Sequence, residues 1–263
     1  MFHVKERKLK LPGLQMDYIT FGKGPKPLIM IQGLNTNGIK GTGIPLAFMY
    51  RLFARSFKVY LFDRRDTIKD GITVRELAND VAAAMDSLNI KDAAVLGVSQ
   101  GGMIAQYLAI DRPDLVNKMV LAVTLTKNNP TVVAAIERWI DMTQRNDISA
   151  LVADMSNTMY SPAYVKRYTL LMPLLTILQK PKDPQKFIRL AKACLTCDTY
   201  QELDKIHCPV LVIGAAQDKV VGSTAYIEIA EKLGCELFVY EDLGHAAYEE
   251  AKNFNRKVYD FLK

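Results

Sequence analysis

Gly97-Val98-Ser99-Gln100-Gly101 stands directly behind the apolar run Ala93-Ala94-Val95-Leu96 and ahead of Met103-Ile104-Ala105-Gln106-Tyr107-Leu108. A buried strand therefore runs into a helix through a G-x-S-x-G turn, an arrangement that holds a serine out for attack. Glycines at 97 and 101 suit such a turn because they relieve crowding and tolerate unusual dihedrals.

Apolar runs bounded by turn residues recur at residues 27–32, 57–62, 93–98, 118–123, 209–214 and 236–240, and read as buried strands. Helical periods lie between them. Val74, Leu77, Val81, Met85 and Leu88 share one face, with Thr73 and Glu76 forming a capping box ahead of it. Tyr226, Ile229, Ala230 and Leu233 share another, ended by Gly234 as a C-cap. Ala247, Ala251, Phe254, Val258 and Phe261 predict one closing helix. This alternation implies an α/β class with a mostly parallel sheet covered on both faces. The residues up to about Phe21 read instead as an antiparallel pair turning at Pro12-Gly13.

Between about Leu125 and Ile206 strands stop and helical periods continue, which marks an insertion. Asn129-Pro130, Ser161-Pro162 and Asp183-Pro184 each put an N-cap residue before a proline at the first helical position. The stripes they open include Val132, Ile136, Trp139 and Ile140, then Leu151, Val152, Met155 and Met159, then Val165, Tyr168, Met172, Leu175 and Leu178.

A chain of 263 residues suits one large α/β domain with an inserted subdomain. With 49% hydrophobic and 24% charged residues it matches a globular protein, and no apolar stretch is long enough to span a bilayer. The first eight residues carry charge where an export signal needs an apolar segment, so a cytoplasmic protein with reduced cysteines is expected. Cys194-Leu195-Thr196-Cys197, with His207-Cys208 beyond it, raises a zinc site. Structural zinc wants two well-spaced ligand pairs, and Cys208 instead opens a buried strand, so neither metal nor cofactor is expected. The net charge of +6 is scattered rather than gathered with aromatics, which argues against a nucleic-acid partner. Lys5, Lys8 and Lys10 fit the solvated edge of a first strand.

A serine hydroxyl needs a base to take its proton and a third group to orient that base. The chain has only three histidines. His3 sits in the N-terminal strand segment, and His207 lies at a strand entrance, opposite the edge where sites form on parallel sheets. His245 follows the strand at residues 236–240 and precedes the last helix, at the same carboxyl edge as Ser99. Asp218, after the strand at residues 209–214, stands where an orienting acid is needed; Asp198 and Asp242 are weaker alternatives. An oxyanion would need backbone donors. The amide of Gln100 offers one and the amide of Leu34 the other, in Gln32-Gly33-Leu34-Asn35 after the strand at residues 27–32.

The order of Ser99, Asp218 and His245, each behind a strand, resembles the α/β-hydrolase superfamily over nearly the whole chain. The resemblance is strongest to its small lidded members: enol-lactone hydrolases, carbon–carbon bond hydrolases, proline iminopeptidases and carboxylesterases. It implies a doubly wound, eight-stranded sheet with a helical cap after the sixth strand. The core would then comprise residues 1–124 and 207–263, and the cap residues 125–206. Two departures stand out. Gln32-Gly33 replaces the usual His-Gly before the oxyanion loop, and Asp63-Arg64-Arg65-Asp66-Thr67 lacks the glycines of Asp-x-Arg-Gly-x-Gly, which implies a differently shaped loop beside the site.

In lidded members the pocket lies between core and cap. Trp139, Met142, Met155, Met159, Tyr160 and Met172 are then candidates for an apolar, adaptable lining, and Gln32, Asn35 and Val220 join them from the core. Asp141, Asp147 and Asp154 could meet a substrate amine, but surface charges on helices explain them better. The expected function is hydrolysis of a carboxylic ester or lactone, with a small to medium, largely apolar acyl or lactone molecule as substrate. Carbon–carbon hydrolysis or cofactor-free perhydrolysis with the same triad is the alternative within chemistry. A ligand-binding receptor on the same scaffold is the alternative of another class.

Overall fold

The computed structural model describes residues 3–263, the side chains of Met172 and Leu175 apart. Met1 and Phe2, the first of the residues read for an export signal, lie outside the described residues. The apolar runs become strands β1 Lys5–Leu11, β2 Leu14–Phe21, β3 Lys26–Ile31, β4 Phe57–Arg65, β5 Ala93–Val98, β6 Val116–Ala122, β7 Val210–Ala215 and β8 Glu236–Tyr240. They form one sheet in the order β1-β2-β4-β3-β5-β6-β7-β8. β1 pairs with β2 and β2 with β4 antiparallel, and all later pairs are parallel.

The helices are α1 Gly43–Met49, α2 Val74–Ser87, α3 Gln100–Asp111, α4 Pro130–Gln144, α5 Ile148–Met159, α6 Pro162–Tyr168, α7 Met172–Gln179, α8 Pro184–Cys194, α9 Ala225–Leu233, α10 Ala247–Glu250 and α11 Phe254–Leu262. Strand residues alternate between two cores, as a period of two requires. Ile29, Ile31 and Val95 pack toward α2 and α3, while Leu28, Met30, Leu96 and Val98 pack toward α1 and α11. Thr73 and Glu76 close the expected capping box on α2, and Gly234 ends α9 at φ 58°. β1 is the sheet's edge, and its Lys8 reaches Asp66 at 2.6 Å and Asp17 at 3.5 Å. His3 precedes β1 rather than belonging to it.

The helical insertion follows β6 and carries α4 to α8, with Asn129, Ser161 and Asp183 each capping a helix by accepting a backbone N–H. Two periodic expectations give way. The closing helix is split into α10 and α11, because Ala251 is extended at ψ 112°. The stripe from Val165 to Leu178 does not form one helix with a buried face: α6 and α7 are separate, Val165 and Tyr168 are half-buried and Leu178 is 62% exposed. Pro173, in the first turn of α7, suits a helix start and could not continue a helix from α6. Among the described residues no helix is long and apolar enough to cross a membrane.

Candidate active site

β5 is buried along its whole length between β3 and β6, so its carboxyl end is fixed in the middle of the sheet. Ser99 follows it at φ 53°, ψ −121°, and α3 begins one residue later. The strained dihedral thus falls on the serine, whereas the flanking glycines serve close approach. A Cβ on Gly97 would lie 2.6 Å from the Gly101 carbonyl oxygen, and one on Gly101 would strike the carbonyl of Ile31. Such a serine costs roughly 1–3 kcal/mol and persists only where its surroundings impose it. Here the Ser99 amide donates to Ala122 at 2.9 Å, and its carbonyl accepts from Thr124 Oγ1 at 2.8 Å. Val123 beside it is also left-handed at φ 44°, unusual for a β-branched residue, so strain concentrates at this edge.

The loop after β8 carries His245 to the same edge. Its Nε2 is 2.9 Å from Ser99 Oγ and its Nδ1 is 2.8 Å from Asp218 Oδ2. His245 and Asp218 are 2% and 4% exposed, so both contacts lie out of water. Asp218 Oδ1 accepts the amides of Val220 at 2.8 Å and Val221 at 3.0 Å, which fixes the carboxylate in its own loop. Asp198 and Asp242, the rival acids, do not bond to His245. His207 is exposed at the far end of the sheet, beside Asp92 and Cys208.

Gly33 lies against the serine, since a Cβ there would be 3.2 Å from Ser99 Cβ. No hydrogen bond within the described residues takes the Leu34 or Gln100 amide. Both segments are tied to one buried cation. Arg64, 6% exposed, donates through Nη2 to the Gln32 carbonyl at 2.7 Å and to Gln100 Oε1 at 3.0 Å, and through Nε to the same oxygen at 3.1 Å. Burial pushes its guanidinium below the usual range, with Asp63 opposing that. Gln100 Nε2 then donates to Leu190 O at 2.7 Å on α8, joining elbow to insertion. Asp63 and Arg64, which precede the position of the missing glycines at Asp66, thus form a brace: Asp63 Oδ2 accepts Ile39 N at 2.9 Å while Arg64 holds the two strand-end segments.

One cavity is lined by the serine and a second adjoins it. A small one of about 20 Å³ is lined by Ser99, His245, Met103, Trp139, Val220 and Cys194, among others. A larger one of about 280 Å³ includes Gln32, Asn35, Tyr50, Tyr160, Tyr248 and Glu249. Met155 and Met159 line both, as do Gly33, Leu34 and Tyr248. Trp139, Met155, Met159, Tyr160, Gln32, Asn35 and Val220 fall on the walls of one or the other cavity. Met142 packs instead against the hydrophobic core, and the side chain of Met172 lies outside the described residues. Asp141 pairs with Arg145, Asp147 caps α5, and Asp154 accepts Trp139 Nε1 at 2.8 Å, so all three serve the helices themselves. Tyr50, Arg64, Tyr248 and Glu249 were missed; only the closeness of Tyr248 and Glu249 to His245 in sequence could have pointed to them. Cys194 donates to Leu190 O within α8 at 3.6 Å, and Cys197, beyond the end of that helix, to Leu125 O and Thr126 O at 3.8 and 3.6 Å.

A family model described as the alpha/beta hydrolase fold matches residues 26–252. The chain is 24% identical to 3-oxoadipate enol-lactonase 2 of Acinetobacter baylyi, over 84% of this chain and 82% of the relative. It is also 24% identical to pyrrolizixenacetamide deacetylase of Xenorhabdus hominickii, over 92% of each. The crystal structure of the enol-lactonase from Burkholderia xenovorans superposes with a TM-score of 0.84 at 21% identity, covering 97% of this chain and 99% of that one.

Proposed function

Because the chain belongs to the α/β-hydrolase fold family, we propose that it is a serine hydrolase that opens a carboxylic ester or lactone through an acyl-enzyme. The observation that carries this reading is the continuous line from Asp218 Oδ2 to His245 to Ser99 Oγ, at 2.8 and 2.9 Å, behind a strained serine. Asp218 accepts Nδ1–H and so leaves the Nε2 lone pair facing the hydroxyl. Ser99 Oγ attacks the carbonyl carbon as its proton passes to Nε2. The carbonyl oxygen becomes an oxyanion, for which the free amides of Leu34 and Gln100 are the donors, each worth on the order of 3 kcal/mol. Collapse expels the alcohol, which takes the proton from His245. Water, deprotonated by the same imidazole, then releases the acid and restores Ser99.

The helices of residues 125–206 act in this reading as a cap over the site. The oxyanion loop holds them through Asn37, which donates to Leu178 O at 3.2 Å and Lys180 O at 3.1 Å. The small, apolar volume around Ser99 supports a compact group on one side of the scissile bond. The enol-lactonase names among the relatives support a lactone or ester. Four unpaired thiols support a cytoplasmic setting.

Fluorophosphonate labelling of the wild type and of Ser99→Ala, followed by a panel of esters and lactones graded in acyl length, tests the proposal. Labelling that depends on Ser99, with turnover of short acyl esters, is the expected result. A folded wild type that takes no label refutes it.

A further inference from the structure

The larger cavity contains a carboxylate with no cationic partner. Glu249 has no lysine, arginine or histidine within ion-pair distance among the described residues, in a chain carrying 34 basic and 28 acidic side chains. Its neighbour Glu250 is engaged elsewhere, accepting Ser161 N at 2.8 Å and Ser161 Oγ at 2.6 Å. Glu249 meets a neutral donor instead: Tyr160 Oη donates to Oε2 at 2.6 Å, with Tyr248 beside it on the cavity wall. That bond orients it without cancelling its charge. The lining of the cavity includes no lysine, arginine or histidine, so Glu249 makes it net negative.

Aromatic rings complete the site. Tyr50, Tyr160 and Tyr248 all line the cavity, and Tyr160 is held in place by stacking on Tyr164 at 4.6 Å, which in turn contacts Tyr168 at 4.5 Å. A carboxylate among tyrosine rings is the chemistry that recognises an ammonium group, by Coulomb attraction and by the ring quadrupoles. The cavity shares Gly33, Leu34, Met155, Met159 and Tyr248 with the pocket of Ser99, so the two lie side by side.

We propose that this cavity is an ammonium subsite, in which Glu249 and the three tyrosines hold the cationic end of an ester whose carbonyl lies at Ser99. The proposal rests on the serine-hydrolase reading for the reaction, but the binding itself does not. Glu249 is exposed where the cavity opens, and a bound ammonium would favour its charged form against the desolvation that raises its carboxyl above the usual range. A substrate carrying a carboxylate at this end would be repelled.

Calorimetric binding of choline and of its uncharged isostere, 3,3-dimethylbutan-1-ol, to wild type, Glu249→Gln and Glu249→Asp tests the subsite. Choline is expected to bind the wild type at least tenfold more tightly than the isostere. That preference should fall to within about twofold in Glu249→Gln and persist in Glu249→Asp, which keeps the charge. Equal binding to the wild type, or a preference that survives in Glu249→Gln, overturns the proposal. The ratio of kcat/KM for acetylcholine over 3,3-dimethylbutyl acetate then separates the two readings. Turnover of both esters at equal efficiency removes the subsite and leaves the hydrolase. Choline binding that depends on Glu249, in a protein whose Ser99 takes no label, upholds the subsite and removes the hydrolase.

Discussion

Asp218→Asn tests the proposed relay at the point where the structure dictates the outcome. The carboxylate is 4% exposed; Oδ1 accepts two amides, of Val220 at 2.8 Å and Val221 at 3.0 Å, while Oδ2 meets His245 Nδ1 at 2.8 Å. An asparagine in the same place has one oxygen to give. Turning its NH2 toward the Val220 and Val221 amides sets donor against donor and loses two buried bonds, at a cost of about 1–3 kcal/mol each. Keeping its oxygen there retains both and puts the NH2 against Nδ1. Nδ1 then becomes an acceptor, and the imidazole proton moves to Nε2, facing Ser99 Oγ across 2.9 Å. The base now presents a hydrogen where it needs a lone pair. The expected loss in kcat is on the order of 10³–10⁴, or roughly 4–5.5 kcal/mol of activation free energy, with KM changed only a few-fold. Asp218→Ala removes the group that dictates the tautomer, so the imidazole keeps access to the productive form. The asparagine variant should therefore be no faster than the alanine one. Initial rates on an activated short-chain ester from pH 6 to 9, with fluorophosphonate labelling rates alongside, measure both. A kcat for Asp218→Asn within tenfold of wild type, or clearly above that of Asp218→Ala, would refute the reasoning.

Arg64→Met takes the donor from both Gln32 O and Gln100 Oε1, and relief of a buried charge offsets part of that loss. A net destabilisation of about 1–3 kcal/mol is expected, read as a melting temperature lower by roughly 2–4 °C per kcal/mol. If the brace positions the oxyanion donors, kcat falls on the order of tenfold while KM stays nearly constant; an unchanged kcat in a folded variant would limit Arg64 to stability. The thiols should be slow toward disulfide reagents in the native protein at pH 8. Burial pushes both Cys194 and Cys208 up to about 11 and raises Cys197 further. A thiol at that value is about one part in a thousand thiolate at pH 8, and its reactivity should climb tenfold per pH unit toward it. Four rapidly titrating thiols in the folded protein would contradict this, whereas all four should react at once in denaturant.

The elements of the sheet were legible because local spacing causes them. β5 and β8 match their apolar runs to the residue, and the Thr73–Glu76 box and Gly234 end their helices as their chemistry requires. Two periodic readings failed where spacing alone cannot arbitrate. Residues 247–261 keep a helical repeat across Ala251, but the chain turns extended there. Residues 165–178 keep a helical repeat too, but the chain divides into α6 and α7 and Leu178 stays exposed. Periodicity specifies which residues could share a face; it does not supply the surface that face must bury against.

By itself the sequence determined the sheet, the helical insertion and the convergence of Ser99, Asp218 and His245, because each follows from strand ends at one edge and only three histidines compete for the base. Only the tertiary structure decided that the strained dihedral belongs to Ser99 rather than to its glycines, that Arg64 ties Gln32 to Gln100, and that Tyr50, Tyr160, Tyr248 and Glu249 share one cavity. A cavity is the volume left between surfaces from distant parts of the chain. Its walls come from α1, the end of α5 and α10, segments that no repeat or motif relates. Their meeting depends on how the insertion docks on the sheet, and that follows from the packing of whole elements rather than from the residue types in any one of them.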